Sequence, residues 1–128
     1  MHQQLPDPSP NATAPRVTPA DIEAEIASEH YFTAQQGVLG EIADGGTGGK
    51  YDPKWEVPCS IQALSLLTFC VLVLRNGFTV IGTSACASPE NFNAETGRQI
   101  ARKKAAEQIW PLLGFRLRDK IAGEGRAP

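Results

Sequence analysis

Cys86 and His30 are the residues from which this chain could build a thiol nucleophile and its base, and Glu25 with Glu29, one helical turn apart, could share acid and base work. Neither pairing has the setting its chemistry needs. A reactive thiolate requires an exposed, electropositive surrounding, whereas thiols in apolar strands behave as small packing hydrophobes. The spacing of Cys86 and His30 marks no known pairing, and the two glutamates read as a solvated pair. Cys59, Cys70, Cys86 and His2 show no zinc-ligand spacing. The expectation is a protein that is not an enzyme and that carries no metal and no cofactor.

Recognition of phosphate is the next chemistry to test. The stretch "DGGTGGK", residues 44–50, has the outline of a phosphate-cradling loop. That motif requires Gly where Asp44 stands and Ser or Thr where Tyr51 stands, with a strand before and a helix after. The stretch therefore reads as a flexible connector. Ser84 through Asn93 hold hydroxyls, amides and free backbone N–H groups beside a helix start, whose partial positive charge suits phosphate or carbonyl oxygens. Ser88 and Asn91 are the natural contacts there, although the same residue types cap helices without binding anything. Arg98, Arg102, Lys103 and Lys104 form a basic face that reads as solvated surface before it reads as a nucleic-acid contact. Arg116 and Arg118 follow the apolar "WPLLGF" and could turn guanidinium forks toward phosphate at a subunit junction. Phe78 can be a core aromatic or a platform under a purine, where stacking contributes roughly 1–3 kcal/mol per base. Phe92 faces the same choice, with packing favoured because it joins a helical stripe.

These side chains need elements to hold them. A chain of 128 residues supports one domain close to the lower limit for a self-sufficient core, which leaves room for a second copy to complete it. With a formal charge of -2 and a pI of ≈ 5.6, the chain has no overall attraction to nucleic acid, which is not an expected partner. An odd set of three cysteines points to a reducing compartment, and the first residues lack the basic-then-apolar order of a secretory leader. The longest apolar stretch, Leu64 to Leu74, falls short of the ~20 residues of a membrane-spanning helix. A cytoplasmic protein with no membrane partner is expected.

Residues 1–17, rich in Pro, Asn, Asp and Ser, read as a disordered tail. "TPADIEAEIASEHYF" then predicts an amphipathic helix, capped by Thr18 and ending by Gly37, with Ile22 and Ile26 on one face. Residues 37–58, with their glycine-rich part at 44–49, read as a connector whose end Trp55 anchors. On either side of Asn76-Gly77 the sequence turns β-branched and apolar, the pattern of a hairpin closed by a two-residue type I′ turn. That turn pairs Val73 with Val80 and Val71 with Gly82 on one face, and Leu72 with Ile81 on the other. Both faces of the first hairpin strand are apolar, so both need cover. Helices of the chain can supply one cover and a second protomer the other. After the hairpin, Ser88 with Pro89 and Asn93 with Glu95 compete as helix starts. Ile100, Ala101, Ala105 and Ile109 make one stripe, and Pro111 should break the run before "LLGFRLRDKIA". The predicted fold is α+β: a small antiparallel sheet built on this hairpin, packed with an N-terminal helix and one or two C-terminal helices. It forms a single domain over 18–122, with 123–128 frayed.

The NGF turn, SAC, NF, a Gly opening the helix, and IW followed by L, G and an aromatic resemble a family of small phage and prophage proteins typified by members in phages N4 and Sf6. The upstream "RVTPADIEAEIASEHYFTA" resembles it too. The same core is similar to the first type of Thoeris anti-defence protein, a sponge that binds glycocyclic ADP-ribose, an immune signal made by bacterial TIR-domain proteins, without cleaving it. That resemblance implies protomers assembled as dimers or higher and nucleotide pockets between subunits. It also implies ligand-binding roles for Phe78, Ile81, Ser84, Asn91 and Arg118. Against the sponge pattern, the N-terminal helix and glycine connector are a departure that could reshape the mouth of the pocket. The alternative function is a small phage adaptor that binds a host protein or nucleic acid through its basic helix.

Overall fold

The computed structural model describes residues 14–54 and 57–125, and of residues 57–59 the backbone alone. Residues 1–13 of the expected tail, and the anchor Trp55, lie outside the described residues. In chain order the elements are α1 (Pro19–Glu25), β1 (Ile26–Thr33), α2 (Ala34–Ala43), α3 (Val57–Leu64), β2 (Leu67–Leu74), β3 (Thr79–Ala85), α4 (Ala94–Glu107) and α5 (Ile109–Gly125). The strands form one antiparallel sheet in the order β1-β2-β3. The fold is thus the expected α+β, with helices before and after a small antiparallel sheet.

The expected N-terminal helix is corrected by half. Its cap is present: the Thr18 hydroxyl accepts from the Asp21 amide while the Asp21 carboxylate accepts from the Thr18 amide. The helix then stops at Glu25 and the chain continues as β1, which pairs along β2 from Ile26↔Leu74 to Thr33↔Thr68. "HYFT" is aromatic and β-branched, a composition that suits a strand, and the ladder with β2 outweighs the local helical period. The expected connector is corrected as well. A second capping box, Thr33 with Gln36, starts α2 across Gly37 and Gly40, and Pro58 stands in the first turn of α3, where no amide donor is needed. Between these helices, Gly45, Gly48 and Gly49 have positive φ.

The hairpin forms, but its register differs by one residue from the type I′ expectation. Only Gly77 takes positive φ (+90°), whereas a type I′ turn needs it at Asn76 too. The Leu74 amide bonds the Phe78 carbonyl (2.8 Å), so the loop is Arg75-Asn76-Gly77. The pairs become Val73↔Thr79, Leu72↔Val80, Val71↔Ile81 and Cys70↔Gly82. One face of the sheet therefore carries Cys70, Leu72, Leu74 and Val80, all buried beneath α4 and α5. The other carries Phe69, Val71 and Val73, which are half-buried, and Ile81, which is exposed.

Helix α4 lies on the sheet at unusually short range. A Cβ built on Gly82 would stand 2.0 Å from the Ala101 carbonyl oxygen and 2.4 Å from the Ala105 nitrogen. Gly97, Ala101 and Ala105, four residues apart, form the seam that makes this approach possible, and Ile109 and Leu113 extend it into α5. Ile100, expected on the same stripe, is 41% exposed. Of the two competing helix starts, Asn93 caps α4, its side chain accepting from the Thr96 amide (2.9 Å). Ser88 heads only a single 3-10 turn, Pro89–Asn91. The expected break at Pro111 is corrected: the helices divide three residues earlier, at Gln108, and Ile109, Trp110 and Pro111 form the first turn of α5, where a proline needs no amide donor. Helix α5 runs through Gly125, and residues 126–128 lie outside the described residues. No helix among the described residues is long and apolar enough to cross a membrane.

Candidate functional site

The junction from β3 to α4 builds a small, mainly apolar cleft with a polar edge. Ser84 ends the helix-facing side of β3, the chain turns through Cys86 and the 3-10 turn, and Asn93 opens α4. Ser84, Cys86, Asn91, Asn93, Thr96 and Gly97, with apolar Leu66, Phe92 and Ile100, line a cavity of ≈ 160 Å³. Its polar edge is made of two hydroxyls, two amides and the first turn of a helix of 14 residues, where Asn93 accepts from the Thr96 amide. The Cys86 thiol donates to the Ser88 carbonyl (3.1 Å), and the Ser88 hydroxyl donates to the Glu90 carboxylate. Ser88 is thereby committed to its own turn, while Asn91 is exposed. Asn93 closes the stretch expected here, whereas Thr96 was missed as a cavity residue; the Asn-x-x-Thr cap spacing was its signal.

A second cavity, ≈ 200 Å³, lies at the opposite end of the sheet, lined by Leu74, Asn76, Phe78, Leu112, Leu113, Glu25 and Arg116. Phe78 is 55% exposed at its mouth. It is neither a core aromatic nor, within one chain, a neighbour of Asn91. Six residues of chain along β3, about 20 Å at roughly 3.4 Å each, separate Phe78 from Ser84. Ile81 occupies the open face of the sheet, and Arg118 is exposed on α5 and lines neither cavity. Of the five expected ligand residues, then, one chain brings together Ser84 and Asn91 and leaves Phe78, Ile81 and Arg118 apart. Phe92, expected on the helical stripe, precedes α4 and is half-buried between the Ser84 cavity and a cleft lined by Thr33 and Arg98.

Most of the arginines proposed for phosphate or nucleic acid are engaged within the chain. Arg102 bonds Glu23 (2.8 Å) and Glu29 (2.9 and 3.0 Å), tying α4 to α1 and β1. Glu29 also accepts from the Tyr31 hydroxyl (2.7 Å). Hydrogen bonds from Arg102 and then Tyr31 hold the Glu29 carboxyl far below its ordinary 4.5, at about 2. Burial, followed by the same contact with Glu29, pushes the Tyr31 hydroxyl up, and burial pushes the Cys70 thiol up. Arg116 pairs with Glu25 (2.7 Å) and lowers its carboxyl, and Arg98 pairs with Glu95 (2.9 Å). The two glutamates first read as a solvated pair are thus separate ion-pair partners. His30 lies on β1, bonded to Ser28 (3.0 Å), with the whole of β2 between it and the strand that leads to Cys86.

The glycines also find a use that sequence reasoning did not foresee. Gly82 and Gly97 admit α4 to the sheet, and a Cβ on Gly97 would stand 3.0 Å from the Thr68 hydroxyl oxygen. A helix backbone, not a ligand, fills the space that the missing Cβ leaves at Gly82. In the glycine loop, the Glu41 carboxylate accepts from the Gly48 amide (2.8 Å), so the chain's own carboxylate sits where the rejected phosphate motif would hold an anion.

A protein-family model described as Phage protein (N4 Gp49/phage Sf6 gene 66) family matches residues 17–121. No curated protein and no solved structure matches the chain.

Proposed function

The chain belongs to the N4 Gp49/phage Sf6 gene 66 family of phage proteins, and from that premise we propose that it is an anti-defence binding protein. It holds a cyclic nucleotide immune signal, of the glycocyclic ADP-ribose type, without cleaving it. The observation that carries this reading is the cleft at the β3–α4 junction, where Ser84, Asn91 and Asn93 line one cavity at the start of α4. Donors of this kind match phosphate and carbonyl oxygens, and sequestration asks for no nucleophile, general base or metal. A cavity of ≈ 160 Å³ is smaller than the ~300–1,000 Å³ of ordinary ligand pockets, so the reading requires two copies of the chain to enclose the ligand. The adaptor alternative loses support, because Arg98 and Arg102, two of its four cations, are paired with carboxylates of the same chain.

Calorimetric titration with cyclic ADP-ribose isomers and cyclic di- and trinucleotides tests the proposal. One class binds, and heating the complex returns it chemically unchanged. Asn91→Ala weakens that binding at least tenfold. No heat across the whole panel, or recovery of an altered nucleotide, removes the reading. Charge reversal at Lys103 and Lys104 leaves nucleotide binding intact; loss of a host partner in a pull-down from that variant favours the adaptor instead.

A further inference from the structure

A third cavity, ≈ 240 Å³, opens on the β1 flank of α4, whereas the Ser84 cleft lies on its β3 flank. Two helices begin at this cavity: Thr33, the N-cap of α2, and Ala94, the first residue of α4, both line it. Each helix start adds a partial positive charge. The lining holds one cation, Arg98, and no carboxylate. The rings of Tyr31 and Phe92, both half-buried, supply apolar walls.

The side chains around the cavity keep donors in reserve. In the capping box of α2 the Thr33 hydroxyl accepts from the Gln36 amide (3.1 Å), and the Gln36 side-chain oxygen accepts from the Thr33 amide (2.9 Å). The Thr33 hydroxyl proton and the Gln36 side-chain NH2 then have no partner among the described residues. Arg98 uses one terminal nitrogen on Glu95 (2.9 Å), which leaves the other N–H groups of its fork. The Tyr31 hydroxyl, by contrast, is committed to Glu29 (2.7 Å).

Thr68 is the feature that internal packing does not explain. It pairs with Thr33 across the ladder, its side chain lines the cavity, and it is the one buried polar residue among those described, 3% exposed. Its hydroxyl oxygen has no hydrogen-bond partner. A buried hydroxyl left unpaired lowers stability, and valine would fill the same space without that cost. An oxygen of a bound molecule gives the hydroxyl the partner that the chain withholds.

We propose that this cavity binds a small organic acid. Its carboxylate or phosphate oxygens take the donors of Arg98, Gln36, Thr33 and Thr68, and its apolar body lies against Tyr31 and Phe92. The site is independent of the nucleotide reading above, since it is complete within one copy of the chain and shares only Phe92 with the Ser84 cleft. At ≈ 240 Å³ it falls below the ~300 Å³ at which drug-sized pockets begin, so the acid carries a single ring or a short chain. Glu95 limits the affinity, because its carboxylate already holds Arg98 and Gln99.

The test is a titration of the isotope-labelled full chain with phenylacetate and with phenyl phosphate, followed by amide chemical shifts. Benzyl alcohol and benzylamine are the uncharged and cationic controls. At least one acid binds at millimolar concentration or below, with shifts centred on Thr33, Gln36, Ala94 and Arg98, and both controls bind at least tenfold more weakly. Binding of phenylacetate alone identifies a carboxylate ligand, and binding of phenyl phosphate alone a phosphate ester. Arg98→Gln lowers the affinity at least tenfold, Arg98→Lys restores part of it, and Glu95→Gln raises it by freeing the guanidinium. Thr68→Val weakens binding about threefold while raising stability to urea, opposite movements that a purely structural threonine would not produce. Shifts scattered over the surface, benzyl alcohol binding as tightly as the acids, or Arg98→Gln binding like the wild type overturns the site. If Arg98→Gln disturbs α4, Glu95→Gln carries the test, and an affinity that it lowers overturns the site as well. Acid binding in a chain that takes up none of the nucleotides leaves this site standing and removes only the earlier reading.

Discussion

The two faces of the sheet are built on opposite principles. Under α4, Gly82 has no side chain and Ala101 and Ala105 have only methyls, so helix and strand meet main chain to main chain. Around them Leu72, Cys70 and Ile109 are fully buried. On the other face Phe69, Val71, Val73 and Ile81 are as apolar, yet none reaches full burial, and α2 covers only the end where Phe32 stacks on Phe69 (5.5 Å). The contrast teaches that a stripe of small residues can fix a helix more strictly than a stripe of large ones, because close packing punishes any added atom.

Gly82→Val is the severest way to test that contrast. The new Cβ lands on α4 backbone that cannot move aside alone, and the variant should lose about 3 kcal/mol or more in urea unfolding, or fail to fold. Gly114→Ala, with nothing within 4 Å of the added carbon, should instead gain up to ~1 kcal/mol by removing a helix-interior glycine. If both variants behave alike, the close approach at Gly82 is not the determinant. Next in size, Leu72→Ala on the covered face should cost about 2–5 kcal/mol. Val71→Ala on the open face, where the side chain is only half-buried, should cost clearly less. Equal losses would mean that the open face is sealed.

Arg102 joins the covered face to α1 and β1, and its loss sharpens the same comparison at lower amplitude. Arg102→Ala should cost about 1 kcal/mol, since its carboxylate partners are partly solvated. The pH dependence has a definite sign. Folding lowers the Glu29 carboxyl from 4.5 to about 2, so its stabilisation is complete above pH 4.5 and is lost as the pH falls through 2. Acid unfolding of Glu29→Gln, followed by circular dichroism, should be flatter over that window than that of the wild type. The smallest effect belongs to Thr68, whose buried hydroxyl oxygen has no hydrogen-bond partner. Thr68→Val keeps the shape, removes the unpaired group, and should raise stability by up to ~1 kcal/mol.

The hairpin and the C-terminal helices were legible because their apolar runs and breakers agree: Asn76-Gly77 turns the chain, and Pro111 announces a division of the helices that falls three residues earlier, at Gln108. The register was not, since Asn-Gly serves both a two-residue turn and a longer loop with glycine in the left-handed region. Only burial of Val80 and Gly82 beneath α4 decides between them. β1 was hidden by Ile22 and Ile26, whose spacing suits a helix while their cover comes from distant β2 and α5. α2 was hidden by Gly37 and Gly40, although Thr33 and Gln36 announced its start. At the candidate site, Ser84 and Asn91 could be placed together from their nearness in sequence. That Arg102 and Arg116 are held by Glu29 and Glu25 could not, because those partners lie 73 and 91 residues away.

A junction of main-chain atoms has no rotamers to exchange. Where α4 crosses Gly82, the molecule can neither flex nor be retuned by swapping one side chain for another. The clefts open at the two extremities of the strand, away from that crossing. At those ends side chains line the openings, so substitutions one at a time can reshape them without disturbing the fixed crossing.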